Sequence, residues 1–308
     1  MSFTENVKNE LARLTRPTLA ERRAELLALL RMSGSAVTGM SGAWGVEFST
    51  SSSAVARRVL VSLKKDFLLV PSVMVRQGRR LRKKNVYTLT VPPSRAGSEF
   101  LLSIGFLPMT GMEDAARCAT AEEKRAYLAG AFLGGGSISR PQSDYHLEMV
   151  TQSYRFAGEI REMMHAFQMN PRLTDRKNDY IVYIKDGDKA SSFLQITGAV
   201  QSYMEFENVR VMKDMRNQVN RQVNCETANL QKSVNAAVQQ MHQIRKIREH
   251  MDERLLPGKL RETMELRMAH PNATLSELSE LCGVSKSGLA HRFQKIRALA
   301  GRFDGEEP

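Results

Sequence analysis

Near the C-terminal end of the chain, Ser287, His291 and Gln294 follow one another at i, i+4 and i+7. On a helix this spacing puts a hydroxyl, an imidazole and a carboxamide on one face. All three can exchange hydrogen bonds with the edges of nucleic-acid bases. Ser285, Lys286, Arg292, Lys295 and Arg297 surround them with a capping hydroxyl and four cations, placed where phosphates would run. A second basic set, Arg76, Arg79, Arg80, Arg82, Lys83 and Lys84, sits in the stretch "RQGRRLRKK". Residues 51–95 hold 11 Lys/Arg against a single acid, Asp66, and so carry +10 of the net charge of +12. The remaining segments are nearly balanced: +1 over residues 1–50, −2 over 96–202 and +3 over 203–308. Such a block either faces a polyanion or keeps a solvated strand edge soluble. A third set, Asn217, Asn220 and Asn224 with Arg216 and Arg221 beside them, forms a stripe on a helix. Asparagine is a poor interior helix former. The stripe suits contact with phosphates or base edges, and equally a polar network docking two domains.

The elements that would present these groups are readable from period and punctuation. In "TLSELSELCGVSKSGLAHRFQKIRALA" (274–300), Thr274 and Glu277 form a capping box that opens one helix. Leu275, Leu278 and Leu281 are its expected buried stripe. Gly283 ends it in a left-handed turn, Val284 plugs the corner, and Ser285 caps a second helix with core face Leu289, Phe293, Ile296 and Ala300. That order is the grammar of a helix-turn-helix; a plain helical hairpin with a solvated basic face is the bland alternative. Gly288 inside the second helix points to a close approach by DNA or another helix. Upstream, Leu230, Val234, Val238, Met241, Ile244 and Met251 read as an ordinary core stripe.

The first two hundred residues contain one pattern twice. "ELLALLRMSGSAV" (25–37) aligns with "YLAGAFLGGGSIS" (127–139), so that Ser33 falls opposite Gly135. "VEFST" (46–50) parallels "LEMVT" (147–151), and a helical run follows each. Two strands and a short helix close each half, near Ser94–Ile104 and Gly187–Thr197. The expected fold class is therefore α+β: a pseudo-twofold duplicated domain, followed by an all-α domain. The boundaries read as a helical segment over 1–17, a duplicated domain over 18–205 (halves 18–108 and 119–205), a helical linker over 206–254 and the helix-turn-helix over 255–308. Small residues at the paired helix ends let two backbones approach closely.

With its apolar helix ending in glycines, residues of about 18–200 resemble a single-chain LAGLIDADG domain. In that family the paired helices stand at the centre, the sheets form a saddle over DNA, and each helix end supplies an acid that holds the catalytic metal. Metal-assisted phosphodiester hydrolysis needs such oxygen ligands. Here those positions hold Ser33 and Gly135, and no Asp or Glu occurs between Glu25 and Glu47 or between Glu123 and Asp144. The expectation is a protein that is not an enzyme and needs no cofactor or metal. The competing enzyme reading is a divergent nuclease using Glu47 or Glu148. A third reading is a nucleoid-associated protein of low sequence specificity.

An acid-less domain of this type, then "RNQVNRQVNCETANLQK" (216–232) and "SKSGLAHRFQKI" (285–296), resembles the WhiA family of sporulation and cell-division regulators. The resemblance covers nearly the whole chain. It implies a sequence-specific regulator of promoter DNA, acting on sporulation, cell-division or chromosome-segregation genes. RNA polymerase or its sigma factor is a candidate partner, suited to the less basic second half, while the basic first half would meet phosphates. Three widely spaced cysteines, Cys118, Cys225 and Cys282, argue against a disulfide framework or zinc knuckle. With no apolar run of membrane length and no signal-peptide core, a cytoplasmic, nucleoid-associated protein is expected.

Overall fold

The computed structural model describes residues 2–40, 42–77, 85–107 and 118–303. Its contacts divide the chain into two units, Met1–Lys213 and Asp214–Pro308. In the first unit the order is α1 (Phe3–Arg13), α2 (Leu19–Ser33), β1 (Gly34–Thr38), β2 (Trp44–Thr50), α3 (Ser53–Asp66), β3 (Ser72–Arg76), β4 (Val86–Ser94) and α4 (Arg95–Ile104). The second half repeats it as α5 (Ala121–Gly135), β5 (Gly136–Ile138), β6 (Leu147–Thr151), α6 (Tyr154–Ala166), β7 (Arg172–Arg176), β8 (Asp179–Ile184) and α7 (Gly187–Thr197). Both sheets are antiparallel and share one topology, β1-β2-β4-β3 and β5-β6-β8-β7. The duplication reaches the caps: Thr18 and Thr120 open the central helices, Ser52 and Ser153 the next pair, and left-handed Gly105 and Gly198 close the last.

The central pair, α2 and α5, is apolar all round over Leu26–Leu30 and Ala126–Leu133 because each helix is covered on every side there, the pattern of a helix inside a core. Ala24 and Leu26 to Leu30 on α2, and Ala126 to Leu133 on α5, are buried. Gly130 explains how close the two come: a Cβ placed there would lie 2.2 Å from the Glu25 carbonyl oxygen. At Gly134 the same atom would lie 2.4 Å from Met32 Cβ and 2.8 Å from its Cγ. The two clashes differ in kind, since the first is with backbone and the second with a side-chain carbon, although no rotamer change moves Met32 Cβ. Gly130→Ala will therefore destabilise the unit by about 1–3 kcal/mol or more, and Met32→Gly will not relieve it. Gly134→Ala will be relieved in part by Met32→Gly, which removes that carbon, and not by Met32→Ala, which keeps it. Thermal melts of these variants decide this; equal rescue at both glycines would refute it.

Each sheet alternates, with one face on the core. Val46 and Phe48 on β2 are buried with Leu89 and Val91 on β4, while Glu47, Ser49, Thr88 and Thr90 take the open face. Leu147, Met149, Val182 and Ile184 play the core role in the second sheet. The β7–β8 hairpin turns on Lys177 and Asn178 at φ 51° and 69°, the geometry of a tight two-residue turn. The first half has a longer connection, from Arg76 to Val86.

Helix α1, expected only as an N-terminal helical segment, is part of this unit. Phe3, Val7 and Leu11 are buried in the same core. Thr4 Oγ1 donates to the Ile138 carbonyl at 2.8 Å and accepts from its N–H at 3.0 Å, closing the outer edge of β5. The Glu10 carboxylate accepts from the Gln201 and Ser202 N–H groups at 2.6 and 3.0 Å. It thereby caps α8, a helix of 51 residues, Val200–His250.

The second unit contains most of α8, then α9 (Gly258–Ala269), α10 (Leu275–Cys282) and α11 (Lys286–Ala300). Its core joins Ile244, Ile247 and Leu256 to Met264, Leu278, Leu289, Phe293, Ile296 and Ala300. The expected upstream stripe is corrected here: Leu230, Val234 and Val238 are exposed, and burial sets in with Ala237 and then Ile244. The spacing does put them on one face of α8, but packing begins only where α9–α11 meet its last turns. Leu281, expected on the buried stripe of α10, is also exposed, and Cys282 half-buries in its place. Among the described residues no helix is long and apolar enough to cross a membrane.

Candidate nucleic-acid interface

Thr274 accepts from the Glu277 N–H while Glu277 accepts from the Thr274 N–H, the reciprocal bonds of a capping box. The bonds from Thr274, backbone first, hold the Glu277 carboxyl below its usual range. Gly283 ends α10 at φ 66°, a left-handed conformation suited to glycine. Ser285 Oγ then accepts from the Gly288 N–H at 3.2 Å and starts α11. Leu289, Phe293, Ile296 and Ala300 form the buried face of α11. Ser285, Lys286, Ser287, His291, Gln294, Lys295 and Arg297 are exposed.

Two expectations about this helix change. Arg292 is turned back onto α9, within 3.3 Å of a Glu262 carboxylate oxygen and of Thr263 Oγ1. Its guanidinium braces the unit and is withdrawn from the outward row. Gly288 is explained inside the chain: a Cβ there would stand 3.0 Å from the Val284 side chain and 3.2 Å from Ser285 Oγ. Sequence reasoning also missed Arg267. It is almost fully buried, donates to the Ala273 and His270 carbonyls at 2.5 and 3.3 Å, and lies over the Phe293 ring at 5.4 Å. It ties the loop before α10 to the core face of α11. An arginine between apolar residues gave no signal of this in a linear reading.

The helix tips in the first unit are the other candidate site. Ser33 and Gly135 are the last residues of α2 and α5. Ser33 Oγ donates to the Gly134 carbonyl at 3.2 Å. A Cβ on Gly135 would lie 2.7 Å from the Val150 carbonyl oxygen and 2.9 Å from Met32 Sδ. The tip is packed shut by Met32 and β6, so a carboxylate there would have to displace both. Glu47 and Glu148 occupy matched positions, opposite Ser35 and Ser137. Glu148 is engaged: it accepts from Ser137 Oγ at 3.0 Å and lies 3.0 Å from His146 Nε2. Glu47 is exposed. Among the described residues no three His, Cys, Asp or Glu side chains are grouped to hold a metal ion.

Acids nearer the central helices are committed to packing. Glu25 is held by Arg16 Nε at 2.8 Å and Arg58 Nε at 2.6 Å. In the second half, Glu159 binds Arg31 Nη1 at 2.6 Å and accepts from the Tyr127 hydroxyl at 2.9 Å. Burial, more than these partners, raises the Tyr127 phenol above its usual range.

Arg216, Asn217, Asn220, Arg221 and Asn224 are all exposed on α8. Of the basic hairpin, Arg76 ends β3 and is exposed. Arg79, Arg80, Arg82, Lys83 and Lys84 lie outside the described residues. The three cysteines are free thiols; Cys118 is buried, and that burial pushes its thiol up to about 11.

Comparison with known proteins agrees with this geometry along the chain. Family models match three consecutive stretches: the WhiA N-terminal LAGLIDADG-like domain over 19–107, the WhiA LAGLIDADG-like domain over 124–216, and the WhiA C-terminal HTH domain over 219–300. The Probable cell division protein WhiA of Alkaliphilus metalliredigens is 40% identical, with 99% of each chain covered. That of Desulforamulus reducens is 41% identical over 98% of this chain and 96% of its own. The crystal structure of full-length WhiA from Thermotoga maritima matches at a TM-score of 0.61 and 25% identity, covering 98% and 99% of the two chains. A duplicated LAGLIDADG-like unit with Ser33 and Gly135 at its helix tips, joined to a helix-turn-helix, thus places this chain in the WhiA family.

Proposed function

We propose that the protein is a sequence-specific DNA-binding transcriptional regulator without nuclease activity. One observation carries the reading. Helix α11 is capped, buried along one face, and offers Ser287, His291 and Gln294 on the other with Lys286, Lys295 and Arg297 around them. Hydroxyl, imidazole and carboxamide groups read base edges, and the cations hold phosphates. A single reader of this size binds weakly alone, so a second contact must add affinity. Arg76 and the cations that follow it in sequence, or the Asn/Arg face of α8, supply candidates. The relatives are named as probable cell division proteins, which favours targets among division, segregation or sporulation genes. RNA polymerase or its sigma factor is the protein partner this role calls for, and the nucleoid its place of work. Lack of cleavage rests on the two helix tips, which carry a hydroxyl and no side chain where metal-holding acids would stand.

Selection of bound sites from random duplex DNA tests this directly. Wild-type protein will enrich a defined motif, and the Ser287→Ala/His291→Ala/Gln294→Ala variant will bind with flattened preference. Supercoiled plasmid will stay intact with magnesium or manganese. No motif from the wild type would leave a non-selective DNA binder. Metal-dependent cutting that disappears in Glu148→Gln would establish the nuclease instead.

A further inference from the structure

We propose that the cleft between α1 and α3, in the first unit, binds a small phosphorylated ligand. The cleft has a volume of about 450 Å³, a size at which small-molecule sites are found. Asn9 and Arg13 line it from α1; Ser53, Arg57, Arg58 and Val61 line it from α3. Three of these residues are arginines, and no lining residue is acidic.

The three cations differ in what already holds them. Arg13 and Arg57 are exposed, and among the described residues neither guanidinium has a hydrogen bond or an ion pair. The Arg58 side chain is 15% exposed and its Nε donates to Glu25 at 2.6 Å, but its Nη2 is buried without an acceptor. Such a donor costs stability while it stays unmatched. Glu25 cannot serve it alone, being shared with Arg16. A phosphate oxygen drawn between the arginines, with a small turn of the Arg58 guanidinium, supplies the missing acceptor. Guanidiniums suit this role because their N–H groups meet phosphate oxygens in pairs. The start of α3 adds to the attraction: Ser53 and Ala54 follow the N-cap Ser52 into the cleft wall, and that first turn has no acid.

The internal duplication shows that folding does not demand these cations. Buried Val55, Ala56, Val59 and Leu63 of α3 match buried Phe156, Ala157, Ile160 and Met164 of α6. In that register Arg57, Arg58 and exposed Val61 correspond to Gly158, Glu159 and Glu162. The second half thus has a glycine and two acids where the first has two arginines and a valine. Its one buried cation there, Arg31, is neutralised within the chain by Glu159 at 2.6 Å. At the α1–α3 cleft the positive charge exceeds what Glu25 can offset. Uncompensated cations in a hollow select a compact anion, and Ala12, Ala54 and Val61 leave an apolar lip for the body of an organic phosphate. A duplex backbone would meet Arg13 and Arg57 but not the floor at Arg58.

Inorganic pyrophosphate and ADP are the probes, titrated calorimetrically into the full chain at constant ionic strength. Saturable binding of at least one is expected, with Kd below about 1 mM; which of the two binds tighter tells whether the cleft takes a free phosphate or a nucleotide. Arg13→Gln/Arg57→Gln should weaken that binding about tenfold or more. Val61→Glu, which installs the acid of the second half, should do the same. All three side chains are exposed, so both variants should melt near wild type without ligand. Absence of saturable binding by either probe at about millimolar concentration, or binding that the double variant leaves unchanged, overturns the proposal. It also falls if the double variant weakens duplex DNA binding while neither probe binds, since the arginines would then belong to nucleic acid.

Discussion

Glu25→Leu will cost the first unit about 3–5 kcal/mol, the usual effect of removing one partner from a buried ionic cluster. The Glu25 side chain is 4% exposed and neutralises two guanidiniums, those of Arg16 and Arg58, which are 11% and 15% exposed. Without the carboxylate, both cations remain largely out of water with no counter-charge. Position adds to the effect. Arg16 also donates to the carbonyl of Thr197 at the end of α7, so the cluster links both halves. The Glu25 backbone is where Gly130 packs. For a unit of about two hundred residues the loss corresponds to a fall in Tm of roughly 10 °C. Adding Arg58→Met should recover part of it, because the second substitution removes one stranded charge. A Glu25→Leu protein that melts within a degree of wild type, or a double variant whose losses simply add, would show that the cluster is not coupled in this way.

The Glu25 cluster also shows where a linear reading stops. The duplication was legible because caps, alternation and glycine-ended helices are local signals, each repeated about a hundred residues later. Ser33 opposite Gly135 follows from that alignment alone, and the structure sets both at helix ends. The core face of α11 was legible for the same reason: Leu289, Phe293, Ile296 and Ala300 recur at helical spacing. Arg16, Arg58 and Glu25 lie 9 and 33 positions apart, and no local pattern joins them. Arg267 was hidden likewise, since only a folded loop brings the Ala273 carbonyl to it. The errors on α8 and at Leu281 have a different origin. Periodicity says which residues share a face, but not whether an element exists to cover it. The same limit applies to β3, where Val73, Met74 and Val75 read in sequence as an ordinary strand and stand exposed.

Reversing charge at Lys286, Lys295 and Arg297 together will weaken DNA binding by about a thousandfold, taking roughly 1.4 kcal/mol or more for each charged contact. All three are exposed around the outward face of α11, and none is given a role in the unit's own core. Each phosphate contact contributes about 0.9 to the salt slope, so the triple variant should lose close to three units. Its affinity would then fall roughly 40-fold less than that of wild type between 50 and 200 mM salt. The preferred sequence should survive, because Ser287, His291 and Gln294 remain in place. Arg292→Glu separates charge from architecture. Its guanidinium faces Glu262 and Thr263, so reversal there should lower the melting temperature of the second unit before it alters the salt slope. If Arg292→Glu changed the slope as much as Lys295→Glu, with no loss of stability, Arg292 would have to leave α9 in the complex. If the triple reversal left the slope unchanged, α11 could not be the phosphate-gripping element, and the reading of its outward face would fail with it.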